Sequence, residues 1–123
     1  MLAAHNAERA KAGLPALQGD ATLTTAAVRR AQDMAARGYF AHTSPSGESI
    51  STILNINSYS LLGENIARNT YPANQTVSVA ISGFMQSASH RANVLSREFT
   101  RIGVGTSVSS NQRYFSVIYG APR

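Results

Sequence analysis

The chain has 123 residues, 43% hydrophobic and 14% charged, a balance that fits one folded domain with a core and excludes a disordered segment or two domains. No apolar run approaches the roughly eighteen residues needed to span a bilayer; the longest, 76–85, is interrupted by Ser78, Ser82 and Gly83. The net charge of +5 comes from scattered arginines, never more than two in a row, and no RNP-type aromatic motif, zinc finger or basic helix accompanies them, so a solvated basic surface is expected and a nucleic-acid partner is not.

Residues 2–12 are alanine-rich with Glu8, Arg9 and Lys11 interspersed, a helix-forming composition that Gly13 ends and Pro15 keeps from resuming. His5 lies in this helix and reads as a packed, hydrogen-bonded core residue. Asp20 is the expected N-cap of a second helix running to Arg37 and closed by Gly38. Leu23, Ala27, Ala31 and Met34 form its buried stripe, with Arg29, Arg30, Gln32 and Arg37 outside, and the small side chains call for a closely packed neighbour such as a sheet. The segment Tyr39-Phe40-Ala41-His42 follows directly, and Ser44-Pro45-Ser46-Gly47 is turn chemistry, so His42 falls on a short extended piece or loop. A third helix is expected over 49–57, then a strand entry or tight loop over 61–67, a loop over 68–74, and a fourth helix N-capped by Thr76. A short helical turn over 90–95 precedes a strand over 102–108, a hairpin loop over 109–113 and a second strand over 114–119. Helices followed by an antiparallel hairpin indicate an α+β fold in layers, with the sheet between helices.

Three polar residues stand out in a chain with only six acids and three histidines: His42, Glu64 in Leu62-Gly63-Glu64-Asn65-Ile66-Ala67, and His90 in Ser87-Ala88-Ser89-His90-Arg91-Ala92-Asn93. Two imidazoles and a carboxylate suit zinc with water in an open fourth position, although the helical His-x-x-x-His spacing of metalloproteases is absent. Glu64 and a histidine could equally act as a general base pair on water. Without a Gly-x-Ser-x-Gly elbow, Ser44, Ser87 and Ser89 are poor nucleophile candidates. The pair Gly103 and Gly105 lacks the form of a phosphate loop and reads as close packing. The bland alternative remains open for each residue: Glu64 tying down loops, His90 locking a helix end, Asn65 and Asn93 clamping backbone.

In this order the motifs resemble the CAP superfamily (cysteine-rich secretory proteins, antigen 5 and pathogenesis-related 1), in its bacterial SCP-like branch. The resemblance rests on His5-Asn6 with Gly13-Leu14-Pro15, Gly38-Tyr39-Phe40 with His42-Thr43-Ser44-Pro45, Gly63-Glu64-Asn65-Ile66-Ala67, Phe84-Met85-Gln86-Ser87 with His90-Arg91-Ala92-Asn93-Val94-Leu95, and Arg101-Ile102-Gly103-Val104-Gly105. It implies a single domain over 1–123 folded as a three-layer α-β-α sandwich around a mostly antiparallel sheet. It also implies a cleft with two histidines and two acids that in some relatives holds zinc or another divalent ion. His42, Glu64 and His90 match three of those positions, while Ser87 stands where plant relatives carry the second acid and Phe84 where they carry tryptophan. The expected cleft set is therefore His42, Glu64, Asn65, Ser87 and His90, with His42 and His90 as metal ligands and Glu64 nearby.

The expected function is an extracellular or envelope-associated binding module engaging a divalent ion, a small polar ligand or a protein or envelope partner. A Glu64/His-assisted peptidase or esterase is the alternative, and lipid or sterol binding ranks lower because no lipid-loop motif matches. The lost acid at Ser87 favours binding, since acid–base catalysis usually needs two tuned groups. The first residues, Met1-Leu2-Ala3-Ala4 followed by His5, Asn6, Glu8 and Arg9, lack signal-peptide character, which leaves either a cytoplasmic protein or a domain cut from a longer exported precursor; the resemblance, to a family that is mostly exported, implies the second.

Overall fold

The computed structural model describes all 123 residues. Its elements run α1 (Leu2–Lys11), β1 (Gln18–Gly19), α2 (Ala21–Arg37), α3 (Ile50–Ile53), a single 3-10 turn (Ile56–Ser58), β2 (Tyr59–Asn69), α4 (Thr76–Gln86), α5 (Ala88–Val94), β3 (Arg101–Ser109) and β4 (Gln112–Pro122). The four strands form one sheet in the order β1-β3-β4-β2, antiparallel except for the short β1–β3 pair. No helix is long and apolar enough to cross a membrane.

The fold is the expected α-β-α sandwich. On one face Leu23, Ala26 and Ala27 of α2 bury Ile118 and Tyr59, while Met34 and Ala35 bury Ile66 and Tyr114. On the other face Ile81 and Phe84 of α4 and Val94 of α5 enclose Ile102, Val117 and Tyr119. The Asp20 carboxylate accepts the Leu23 N–H at 3.0 Å, and Gly38 ends α2 in the left-handed conformation at φ 66°. The alanine stripe of α2 has its reason in β3. A Cβ on Gly103 would stand 2.1 Å from the Leu23 carbonyl carbon, and one on Gly105 would stand 2.2 Å from that of Ala27. The glycines let the helix backbone lie directly on the strand.

Several expectations are corrected. The helix expected over 49–57 shrinks to α3 and the 3-10 turn, because Ser49 engages the hydroxyls of Ser51 and Thr52 and Asn55 Oδ1 accepts the Asn57 N–H, starting a new turn in place of the helix. Thr76 is the first residue of α4 rather than its cap; its hydroxyl donates to Asn69 Oδ1 at 2.5 Å. Strand β2 runs from Tyr59 to Asn69, longer than expected, and β3 and β4 extend until only Ser110 and Asn111 remain in the turn, with Ser110 at φ 56°. Strand β1 has no counterpart among the expected elements.

The basic surface is also corrected at two arginines. Arg9 and Arg30 are both buried. The Arg9 guanidinium donates to the carbonyls of Pro15 at 2.9 Å, Val94 at 2.9 Å, Ser96 at 2.8 Å and Phe99 at 3.4 Å, tying α1 to the end of α5 and the chain that follows it. Arg30, expected outside, sits inside the stripe of α2.

Candidate functional site

Strand β2 lies at the outer edge of the sheet, and successive residues along it send their side chains to opposite faces. Glu64 turns toward α2 and Asn65 toward α1, α4 and α5, so adjacent residues anchor a separate polar assembly on each side.

On the α2 side, the buried Glu64 carboxylate accepts from Arg30 Nε at 3.0 Å and Ser116 Oγ at 2.7 Å on Oε2, and from Arg30 Nη2 at 3.1 Å and His42 Nδ1 at 2.9 Å on Oε1. Four donors fill the roughly four lone-pair positions that an ionised carboxylate offers. The pair Arg30–Glu64 is bidentate, the geometry that best repays desolvation of both ions. Arg30 also donates to the Ala41 carbonyl, one residue before His42, and to the Tyr39 hydroxyl at 3.0 Å. Tyr39 in turn donates to Asp33 Oδ2 at 2.6 Å. Two further bonds from Arg37 hold the Asp33 carboxyl below its ordinary range, and burial, followed by the Asp33 bond, pushes the Tyr39 phenol up to about 12. The segment carrying His42 is thus fastened at Tyr39, Ala41 and His42. A carboxylate only accepts, so His42 donates to it through Nδ1, which turns Nε2 away from Glu64 on a ring that is 59% exposed.

On the opposite side, a chain of oriented hydrogen bonds runs from α1 to α5. His5 Nδ1–H donates to the Met1 carbonyl at 3.0 Å, so its Nε2 accepts from the Tyr119 hydroxyl at 2.7 Å. Burial lowers His5 from 6.5 to about 4, consistent with this neutral role, and burial raises Tyr119. Asn65 Nδ2 donates to the Tyr119 hydroxyl at 3.1 Å and to the His90 carbonyl at 3.0 Å, while its Oδ1 accepts from Asn93 Nδ2 at 2.8 Å. His5 is the core histidine expected, and Asn65 and Asn93 are backbone clamps. The His90 ring stacks on Phe84, with centroids 5.5 Å apart and 12° between planes, and its Nδ1 meets Ser87 Oγ at 2.8 Å. Ser87 therefore orients one imidazole as Glu64 orients the other.

His90, Ser87 and Phe84 line a cleft of about 440 Å³ beside the β2 edge, continued by Ile66, Arg68 and Phe40. The Arg68 guanidinium lies 4.7 Å from the Phe40 ring centre. Glu64 and His42 do not line this space, and no hydrogen bond joins Glu64 to His90. The expected convergence is therefore partial: His42 sits on Glu64, and His90 is connected to that strand through Asn65. No group of three or more His, Asp or Glu side chains stands close enough to hold a metal ion, so the three do not make a common ligand set. Sequence reasoning missed Arg30, Ser116 and Tyr39. Arg30 had a readable signal, since it follows Leu23 by seven residues and falls between Ala27 and Ala31 on the buried stripe.

Comparison with known proteins agrees with this architecture. The chain is 41% identical over 102 residues to YkwD of Bacillus subtilis (strain 168), an alignment covering 81% of the chain and 38% of that relative. It superimposes on an extracellular SCP-domain protein of Bacillus anthracis with TM-score 0.79 and 27% identity, over 94% of this chain and 37% of the other. An outer surface protein of Borrelia burgdorferi shares the fold at TM-score 0.84 and 22% identity, over 99% and 90% of the respective chains. The chain thus spans well under half the length of the two Bacillus proteins. The CAP model, described as the cysteine-rich secretory protein family, matches residues 2–119, and the chain belongs to that family.

Proposed function

We propose that this domain is an extracellular or envelope-associated binding module, and that it is not a hydrolase. The observation carrying this reading is the saturation of Glu64. A general base must offer a lone pair to the water it activates. Every acceptor position of this carboxylate already faces Arg30, Ser116 or His42. With Ser87 in place of a second acid, no carboxylate borders the cleft. The polar groups beside the β2 edge orient two solvent-reaching imidazoles, which suits recognition.

A screen of fluorogenic peptides and p-nitrophenyl esters tests the reading. The expected result is no turnover above buffer for the wild-type protein, with or without added zinc. Turnover that falls tenfold or more in Glu64→Gln or His42→Ala would overturn it.

A divalent ion is a second reading, favoured by one detail. A ring bonded to a carboxylate through Nδ1 presents its other nitrogen as a metal-ready lone pair, the arrangement found behind many zinc ligands. His42 has that arrangement, whereas His90 Nδ1 meets the Ser87 hydroxyl, which can donate or accept and so fixes no tautomer. The fit is limited to these two imidazoles, since Glu64 is committed. Zinc sites normally take three or four protein ligands, so binding here would be weak. Calorimetric titration with zinc, repeated on His90→Ala, decides it; heat that is equal in both proteins, or absent from both, removes the ion.

A further inference from the structure

We infer that the outer edge of β2 receives an extended acidic peptide as an added strand, an inference that rests on the binding-module reading above and gives its partner a chemical class. The orientation of the backbone is the first ground. The Thr100 N–H donates to the Gly120 carbonyl at 3.1 Å, so Gly120 turns its peptide groups toward β3. Along an antiparallel strand this orientation alternates, so Ile118, Ser116 and Tyr114 also face β3. Their partners on β2 are Glu64, Ile66 and Arg68, which direct their N–H and C=O groups away from the sheet. Asn93 supports this assignment independently, because its Nδ2 reaches the Glu64 carbonyl from outside at 3.4 Å. At Ile66 and Arg68 no group of the protein meets the outward N–H and C=O. Such a row is a template for a further strand.

The surroundings of this edge supply the second ground. Ile66 and Arg68 themselves border the cleft described above, whose apolar wall is Phe84, Val79 and Phe40. A strand laid along the edge would therefore send alternate side chains into a ready pocket while its backbone pairs with β2. Open edges are commonly blunted by charge, and Arg68 is such a charge. It repels a second copy of the same edge in the register that sets Arg68 against itself, but attracts a carboxylate.

Charge complementarity is the third ground. No acid lines the cleft. Glu8, Asp33, Glu48 and Glu64 are paired with Lys11, Arg37, Arg29 and Arg30, Asp20 caps α2, and the sixth acid, Glu98, is exposed and does not line the cleft. Arg68, which lines the cleft and is held over Phe40, has no acidic partner. A peptide alternating carboxylate and aliphatic side chains matches both this cation and the pocket.

The test is titration of the 15N-labelled domain with the capped heptapeptide of alternating Glu and Val, followed by amide shifts and by mass spectrometry of the recovered peptide. Saturable shifts centred on Ile66 and Arg68 are expected, weakened at least tenfold by Arg68→Glu, by alternate N-methylation of the peptide and by replacing its Glu with Lys. Equal affinity of wild type and Arg68→Glu, shifts confined to another face, or no binding up to millimolar peptide would overturn the inference. Concentration-dependent dimerisation shifting the same amides without peptide would also overturn it, assigning the edge to a second copy. Cleaved peptide would instead overturn the non-hydrolytic reading beneath it, whereas an intact, unbound peptide leaves that reading standing.

Discussion

Replacing Arg30 with methionine probes the commitment of Glu64 directly. Both side chains are 3% exposed, so the substitution strips a buried carboxylate of its only permanent cation and of two of its four donors. It also removes the tether to the Ala41 carbonyl and the bond to Tyr39. Breaking a buried pair from one side costs about 3–5 kcal/mol, because the remaining charge must be desolvated alone or take up a proton. With the extra tether lost, the upper part of that range is expected. The double variant Arg30→Met/Glu64→Gln removes both charges; the amide oxygen can accept from His42 while the amide nitrogen donates to Ser116 Oγ, whose hydroxyl can turn to accept it, and stability should recover to within about 2 kcal/mol of wild type. Urea unfolding followed by far-UV ellipticity measures this, as the chain has no tryptophan. A loss below about 1 kcal/mol in Arg30→Met would mean that Glu64 is hydrated without its arginine. That result refutes the saturation argument and reopens the hydrolase reading.

Two other predictions test the layers on either side of the sheet. Gly105→Ala should destabilise the fold by about 3 kcal/mol or more by thermal or urea unfolding, because its Cβ would meet the α2 backbone at 2.2 Å; a cost near zero would show that the helix lifts freely from β3. His5 takes its proton near 6.5 when unfolded but only near 4 when folded, so its contribution is complete above 6.5 and is lost as pH falls toward 4, about 3 kcal/mol in all. Between those values the unfolding free energy should drop by about 1.4 kcal/mol per pH unit more in wild type than in His5→Phe, and parallel slopes would refute the neutral, buried assignment.

The layered fold was legible because it depends on periodicity. The spacing of Leu23, Ala27, Ala31 and Met34, the cap at Asp20, the stop at Gly38 and the aromatic and β-branched run around Val117 each have a local physical cause that survives folding. The failures share a different cause. Ser49 and Asn55 carry helical and turn preferences of similar weight, and the local bonds they make with Ser51, Thr52 and Asn57 decide between them. Strand β1 is two residues long, and its pairing with Arg101 and Ile102 leaves no pattern within so short a segment. Arg30 is misplaced whenever its charge is given precedence over its position. Its place on the buried stripe demands a counter-ion, and Glu64, isolated in an apolar run, demands the same. Two such needs in one small chain are a stronger contact signal than either residue alone.

The same pairing explains why the expected convergence of three residues divides into two assemblies. A strand cannot send neighbouring side chains to one face, so Glu64 and Asn65 necessarily serve opposite layers. Glu64 is consumed in fixing the His42 segment to α2, and Asn65 in fixing the His90 backbone to Tyr119. Each imidazole is thereby held by the strand from a different side, and the space between those supports runs past the strand's unpaired edge. An outer position for β2 is what makes this possible: were it central, another strand would occupy the edge and the cleft would close. The sheet order β1-β3-β4-β2 therefore belongs to the site as much as any side chain does. Its polar machinery holds two rings and an open strand in fixed relation, the arrangement on which the proposed recognition role depends, and Glu64 is engaged in holding them.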